Sequence, residues 1–387
     1  MTHRRVTVVT GTRAEYGLLK SSMDAIATRD ELELTTIATG MHLLPEHGYT
    51  VEDIEADGFD VTRRVHSEVA GDSGLTMAKG LGAGISGIAE ALGDLDPDVV
   101  LVLGDRDEAL AGGVAAAHMN VPVAHIHGGD AMQGAMIDDS IRHALTKFAH
   151  LHFPASERSK ERILKLGEEP WRVTVVGAPG LDAIREGTYT DPETMTKEYG
   201  LESTDPLVLV VQHPVTTMPE VAGEQMTATL EAVATLDPDP EVVVVYPNSD
   251  PGCQRMIDVI GRFEDEGEVR TFRSLPRADY LGLMAAADVM VGNSSSGIIE
   301  APSFGLPAVD IGPRQERRQR SANTVEVPHD VEAIRTAIER ILDDDASGRT
   351  RDVSDNPYDY SGTGSKVAER LAGVEFGQSL LRKRLMY

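Results

Sequence analysis

Asp105 stands in the run Gly104-Asp105-Arg106-Asp107-Glu108, directly after the wholly apolar Val99-Val100-Leu101-Val102-Leu103. A carboxyl group that ends such a run is partly desolvated, which raises its pKa, while the adjacent Arg106 lowers it. A carboxylate tuned in this way can take or give a proton; an Asp that merely caps a helix is the simpler alternative. Residues 138–143, Asp-Asp-Ser-Ile-Arg-His, read as helical. Asp138 and Arg142 stand four apart, as do Asp139 and His143, so each pair shares a helix face. Surface ion pairs would give the same spacing. The helix follows closely after His127-Gly128-Gly129-Asp130, a turn that would aim it at the same region, which makes Asp138 a candidate partner of Asp105. His213 closes an apolar run and precedes Pro214, which stops the strand and keeps His213 extended. A histidine there can bind phosphate as imidazolium or transfer a proton, or serve only as a hydrogen-bonded structural group.

A second set of residues could hold an anion. Residues 292–300, Gly-Asn-Ser-Ser-Ser-Gly-Ile-Ile-Glu, follow the apolar run at 287–291 and contain the start of a helix. Small hydroxyl residues at such a strand-to-helix turn bring backbone N–H groups and the positive end of a helix dipole to one spot, which suits phosphate. Ser294 and Ser295 are the candidates, and Glu300, one turn on, suits a sugar diol. The alternative is a Ser-rich helix cap with no ligand. Gly11-Thr12-Arg13 places a turn, a capping hydroxyl and a guanidinium at another helix start, and an Arg grips diphosphate in bidentate fashion. Arg106, Asn248 and Arg314 also follow apolar runs and join this set. No metal-ligand spacing is convincing: His125 and His127 on one strand would point to opposite faces. The chain has no Walker motif, no HExxH and no GxSxG, and no cofactor is expected.

The elements that must position these residues are short apolar runs alternating with helical patterns. In the first half the runs are residues 6–10, 34–39, 99–103, 121–126, 151–153 and 173–176. In the second they are residues 207–211, 242–246, 269–272, 289–291, 308–311 and 325–327. Six followed by six predicts two doubly wound parallel α/β sheets, with Asp105 after the third strand and His127 after the fourth. Ligands of such sheets sit at the carboxyl ends of the strands, where every candidate above lies. Two domains facing each other across a cleft would bring them together. The polar stretch 186–205 is the expected join, and residues 362–386 read as one terminal helix.

Composition narrows the partners. The 387 residues suffice for two domains, and 63 acidic against 36 basic side chains leave a net charge of -27, which argues against nucleic acid. Eight Lys against 28 Arg, in so acidic a chain, point to a high-salt cytoplasm in which self-repulsion is screened. A single cysteine, Cys253, excludes an internal disulfide framework. No apolar run approaches a membrane span and no signal segment precedes residue 6, so a cytoplasmic location is expected.

Taken together these segments resemble the hydrolysing branch of the UDP-N-acetylglucosamine 2-epimerase family. The matching words are GTRAEYGLL at 11–19, TGMHL at 39–43, GDR at 104–106, HIHGGD at 125–130, DDSIRHALTKFAH at 138–150 and VGAPGLD at 176–182. They continue with QHPVTT at 212–217, PNSDPG at 247–252, GNSSSGIIEAPSFGLP at 292–307 and IGPRQ at 311–315. The resemblance implies a GT-B fold of two Rossmann-like domains, residues 1–185 and 186–361, with the terminal segment 362–387 crossing back to the first and the active site between them. It implies a UDP-sugar substrate, an elimination of UDP to a 2-acetamidoglucal, and hydration to N-acetylmannosamine, a precursor of sialic acids. It implies acid–base roles for Asp105 and Asp138, an orienting role for Arg142, and a place for His213 near the diphosphate. Ser294 and Ser295 would take the phosphates, Glu300 the ribose, and Arg13, Arg106 and Arg314 further diphosphate charge. Residues 41–50 resemble the family's mobile loop, and a homodimer or homotetramer is the expected assembly.

The chain departs from the family at two places. Some members carry a catalytic Glu where His127 stands, so that role falls to His127 or Asp130 here. The turn from His127 to Asp138 is also slightly longer. Both departures are compatible with a UDP-2,4-diacetamido-2,4,6-trideoxyhexose. The other readings are a non-hydrolysing epimerase, a GT-B glycosyltransferase, against which the paired carboxylates argue, and a sugar-nucleotide sensor without catalysis.

Overall fold

The computed structural model describes residues 3–71, 73–131, 137–201, 205–248, 250–346 and 356–387. Within them the chain forms two compact units, one of Met1–Ala131, Asp138–Asp182 and Tyr358–Tyr387, the other of Ala183–Pro357. The first unit has strands β1 (Arg4–Thr10), β2 (Leu32–Thr39), β3 (Arg63–Val65), β4 (Val99–Leu103), β5 (Val123–Ile126) and β6 (Leu151–Phe153). The second has β7 (Leu207–Val211), β8 (Glu241–Val245), β9 (Arg270–Phe272), β10 (Val289–Gly292), β11 (Ala308–Ile311) and β12 (Thr324–Val327). Every pairing is parallel, in the orders β3-β2-β1-β4-β5-β6 and β12-β11-β10-β7-β8-β9.

Burial explains the apolar character of the strands. All five residues of β4 and of β7 are buried, as expected of parallel strands with helices on both faces. On one face of the first sheet the helix Arg13–Ala27 buries Leu19, Met23 and Ile26 beside Val367 and Leu371 of the helix Thr363–Gly373. On the other, Ile88 and Leu92 of the helix Gly74–Leu95 and Leu145 of the helix Ile137–Phe148 meet Val100 and Val102. The second sheet is covered likewise, by Met226, Leu230, Ile260 and Ile338 on one face and Met195, Leu281 and Met284 on the other. Each such side chain removed from water contributes roughly 1.5–3 kcal/mol. No helix among the described residues is long and apolar enough to cross a membrane.

Four expectations need correction. Residues 173–176 are not a strand: they run beside β6, with Thr174 N–H bonded to His152 O and Val176 N–H to Pro154 O, but form only an isolated bridge. The sixth strand of the first sheet is β3, so Asp105 follows the fourth strand and His127 the fifth. The stretch 186–205 is not merely a join, because the helix Pro192–Glu198 buries Met195 in the second core. The terminal segment is two helices, Thr363–Gly373 and Gln378–Leu381, separated by extended backbone at Val374 and Gly377.

Candidate functional site

In each sheet the order reverses beside the first strand, between β1 and β4 and between β7 and β10, the switch point at whose carboxyl ends doubly wound sheets bind their ligands. Gly11-Thr12-Arg13 and Gly104-Asp105 end the first pair; Gln212-His213 and Asn293-Ser294 end the second.

In the first unit the residues gather around Arg142. It lies one turn inside the helix Ile137–Phe148 with its guanidinium buried. One nitrogen pairs with the Asp105 carboxylate and another donates to the His127 carbonyl at 2.7 Å. The guanidinium bonded to Asp105 is thus Arg142 rather than the adjacent Arg106, which instead caps the helix Asp107–His118 with its backbone. Asp105 is not the helix cap, which is Arg106, and Arg142 reaches from its helix to the end of β4. Burial lowers the Arg142 pKa, but the carboxylates of Asp105, Asp130, Asp138 and Asp139 outweigh it and raise the value. Asp138 is buried on the first turn of the same helix, and Asp139 pairs with His143 at 3.7 Å.

The turn after β5 is tightly specified. The ring N–H of His125 donates to Gly104 O at 2.7 Å, and burial drives its pKa down to about 3, so it is a neutral structural group. His127 lies beyond the strand in the left-handed region, φ 65°, a conformation uncommon outside Gly. Its Nδ1 is 3.6 Å from Asp130, whose other oxygen accepts from the Ser159 hydroxyl. Gly129, at φ 78°, could carry no Cβ, which would fall 2.2 Å from Ser159 O. The longer turn read from the sequence falls in part on residues 132–136, outside the described residues. Arg13 pairs with Asp53 at 3.0 Å, and Thr12 caps its helix through Glu15 N–H, as its type suggested.

In the second unit Asn293 is the hub. Buried completely, it accepts from His213 N–H at 2.8 Å and donates to His213 O at 2.9 Å, tying the end of β10 to the end of β7. Its own carbonyl accepts from Arg314 at 3.1 Å and Gln315 at 2.9 Å. His213 Nδ1 accepts from Asn248 N–H at 3.1 Å, so the ring proton resides on Nε2. Asn248 also bonds Asp250 through its amide, at 2.7 Å. Ser294 Oγ faces Ser296 N–H at 3.4 Å, and the Tyr280 side chain lies beside both serines, its pKa raised first by burial. The helix expected from this segment is interrupted: it runs Ser296–Ile299 and resumes Ala301–Phe304. Pro302 lacks the N–H that would bond Ile298 O, which breaks the ladder at Glu300. Glu300 is buried there and pairs with Arg277 at 2.9 Å.

Sequence reasoning passed over Asn293 and Arg277, and also Glu15, which is buried beside Glu108. The strand-end rule reaches Asn293 directly; Arg277 gives no local signal. Among the described residues no group of three or more His, Cys, Asp or Glu is placed to hold a metal ion.

Two Rossmann-like units with these strand orders define a GT-B-type fold. A family model for UDP-N-acetylglucosamine 2-epimerase matches residues 24–372, and the chain belongs to that family. It is 37% identical over 339 residues to a UDP-N,N'-diacetylbacillosamine 2-epimerase (hydrolyzing) of Legionella pneumophila, covering 88% of this chain and 89% of that protein. It is 32% identical over 341 residues to a UDP-N-acetylglucosamine 2-epimerase of Neisseria meningitidis, covering 87% of each. A crystal structure of UDP-GlcNAc 2-epimerase from Neisseria meningitidis bound to UDP-GlcNAc superposes with a TM-score of 0.79 at 18% identity, covering 95% of this chain and 99% of that one.

Proposed function

We propose that the protein is a hydrolysing 2-epimerase of a UDP-linked 2-acetamido sugar, with UDP-N,N'-diacetylbacillosamine the favoured substrate. The observation that carries the chemistry is the buried Arg142, which binds Asp105 and the His127 carbonyl amid the carboxylates of Asp130 and Asp138. In this reading a carboxylate removes the C2 proton as the C1–O bond to UDP breaks, leaving a 2-acetamidoglucal. Water then adds its oxygen at C1 while a proton returns to the opposite face of C2, so that UDP-sugar and water give UDP and the free 2-epimer. Two proton-transfer groups are required, and Asp105 and Asp138 take those roles, with His127 or Asp130 completing the set. Arg142 orients Asp105. In the second unit His213 offers its Nε2 proton to the departing diphosphate, Ser294 and Ser295 bind the phosphates, and Glu300 binds the ribose, with Asn248 and Arg314 supporting. Arg13 and Arg106 add positive charge in the first unit.

The sugar is argued from relatives. The 37% relative and another, 34% identical, from Campylobacter jejuni are hydrolysing diacetylbacillosamine epimerases. The family description and the 32% Neisseria relative support UDP-N-acetylglucosamine as a second reading.

Both are tested by incubating the protein with each UDP-sugar in D2O and following products by NMR. Free UDP and a C2-deuterated 2-epimer from the diacetamido sugar are expected; turnover of UDP-N-acetylglucosamine alone reverses the substrate assignment. A product that keeps its nucleotide would make the enzyme non-hydrolysing. Asp105→Asn is expected to lower kcat at least about 100-fold while UDP still binds, as befits loss of a proton-transfer group. Loss of UDP binding in that variant would instead make Asp105 structural.

A further inference from the structure

The C-terminal tail is bound to the far end of the helix that carries Asp138 and Arg142. Lys383 donates to the carbonyls of Thr146 at 3.1 Å, Lys147 at 3.0 Å and Ala149 at 2.6 Å, the last turn of the helix Ile137–Phe148 and the residue after it. The same ammonium pairs at 2.7 Å with Glu168, whose side chain is 1% exposed. Glu168 also receives Lys147 of the helix at 2.7 Å and the ring N–H of His152 on β6 at 3.2 Å. Arg172, buried, fixes the tail from the other side through the carbonyls of Leu380 at 2.7 Å, Ser379 at 3.0 Å and Arg382 at 3.3 Å.

Terminal helix carbonyls are ordinarily satisfied by water or by a glycine cap, and a cation near them is favoured by the helix dipole. Here the cation is a largely buried lysine delivered from the C-terminal tail, more than 230 residues further along the chain, and its desolvation must be offset by its partners. Stability alone could be had from a local cap. What the tail adds is a fixed register for the helix. One turn separates the capped Thr146 from Arg142, whose carbonyl accepts the Thr146 hydroxyl at 3.1 Å. A helix transmits a displacement at one end along its whole length, since its rise per residue is fixed.

We propose that Lys383 is a positioning residue: the C-terminal tail clasps the carboxyl end of the Ile137–Phe148 helix and thereby sets Arg142 and Asp138 against Asp105. The catalytic consequence rests on the function proposed above; the clasp itself does not. The test uses the full-length protein and the variants Lys383→Met, Lys383→Arg and the charge-balanced Glu168→Gln/Lys383→Met. Lys383→Met is expected to raise deuterium uptake across residues 141–149 and to lower kcat about 10- to 100-fold, the penalty of a small misplacement of reacting groups. UDP affinity, which belongs to the other unit in this reading, stays within about two-fold, and Lys383→Arg recovers part of kcat. The double variant regains melting temperature but not kcat. Recovery of kcat together with melting temperature in the double variant would reduce the clasp to a stabilising contact and overturn the proposal. Unchanged uptake in Lys383→Met overturns it whether or not the wild-type protein releases UDP.

Discussion

Glu300 sits at the break between two helical turns, buried, with its carboxylate on Arg277. In the proposed site that carboxylate lies in the same short segment as the phosphate-binding serines, and an uncompensated negative charge there would repel a diphosphate. Arg277 pairs with it, and in the proposed reading this neutralises the charge while the carboxylate binds a ribose hydroxyl. Arg277→Leu is therefore expected to weaken UDP binding roughly 10- to 100-fold, the usual consequence of stripping one partner from a largely buried pair. It should weaken uridine binding much less, because uridine carries no phosphate. Calorimetric titration with both ligands separates the two, and an equal loss would mean that Arg277 only shapes the pocket. The same contrast explains what was legible at this scale. Asp105, His213 and Glu300 announce themselves by ending apolar runs or interrupting them. Arg142 and Asn248 were legible as candidates, but that Arg142 rather than the adjacent Arg106 holds Asp105 is read only from the folded chain, and Arg277 gives no local signal at all.

Elements impose their own requirements on the second site. Gly292 ends β10 at φ 136°, and a Cβ there would lie 2.2 Å from Val211 O of the adjacent strand. The close approach lets Asn293 N–H reach Val211 O at 3.2 Å and brings the Asn293 amide onto both backbone groups of His213. Gly292→Ala forces backbone apart at this junction and is expected to cost about 2–5 kcal/mol, the sum of left-handed strain and overpacking. The denaturation midpoint should fall, and UDP affinity should fall with it, since Ser294 moves with Asn293. An unchanged UDP affinity in the folded variant would separate the junction from the nucleotide grip. Element recognition from sequence succeeded where burial on both faces writes continuous Val and Leu, as in β4 and β7. It failed for β3, three residues at the sheet edge of which two are exposed arginines, because such a strand carries almost no apolar signal. Residues 173–176 misled for the opposite reason: apolar and extended, they make two bonds to the β6 edge but too few to form a ladder. The break in the terminal helix was hidden because Phe376 and Leu380 keep an apolar pattern across it, both packing on the first core.

Buried ionisable groups set the pH dependence of the whole molecule, and they pull in opposite directions. Burial lowers the pKa of His42 to about 4, of His125 to about 3 and of His150 to about 4. Each is neutral in the fold and has an ordinary value near ~6.5 when unfolded, so its contribution is present above that value and is lost as pH falls toward 4. Glu168 adds to the acid limb: despite its burial, the hydrogen bonds from His152, Lys147 and Lys383 hold it at about 2, and that contribution is lost as pH falls below ~4.5. Glu15 has the reverse sign. Burial first, and then the charge of Glu108, raise it to about 8, and its Oε1 is buried without a hydrogen-bond partner. Protonated in the fold, it contributes fully below ~4.5 and progressively less as pH rises through 8. Summed over these five groups, the unfolded chain binds roughly two more protons than the folded one near pH 5, so together they make stability climb by about 2–3 kcal/mol per pH unit. Near pH 7 the unfolded histidines have mostly lost their protons while Glu15 keeps its own, and the slope changes sign. Stability should therefore pass through a maximum close to neutrality and decline gently to about pH 8. Urea titrations from pH 4.5 to 9 trace this curve, and Glu15→Gln assigns its alkaline limb, because a neutral amide has no proton to lose. The variant should keep the acid limb and level off above neutrality. If instead it declines as steeply as the wild type, the alkaline loss arises elsewhere and the Glu15 carboxyl is already ionised in the fold.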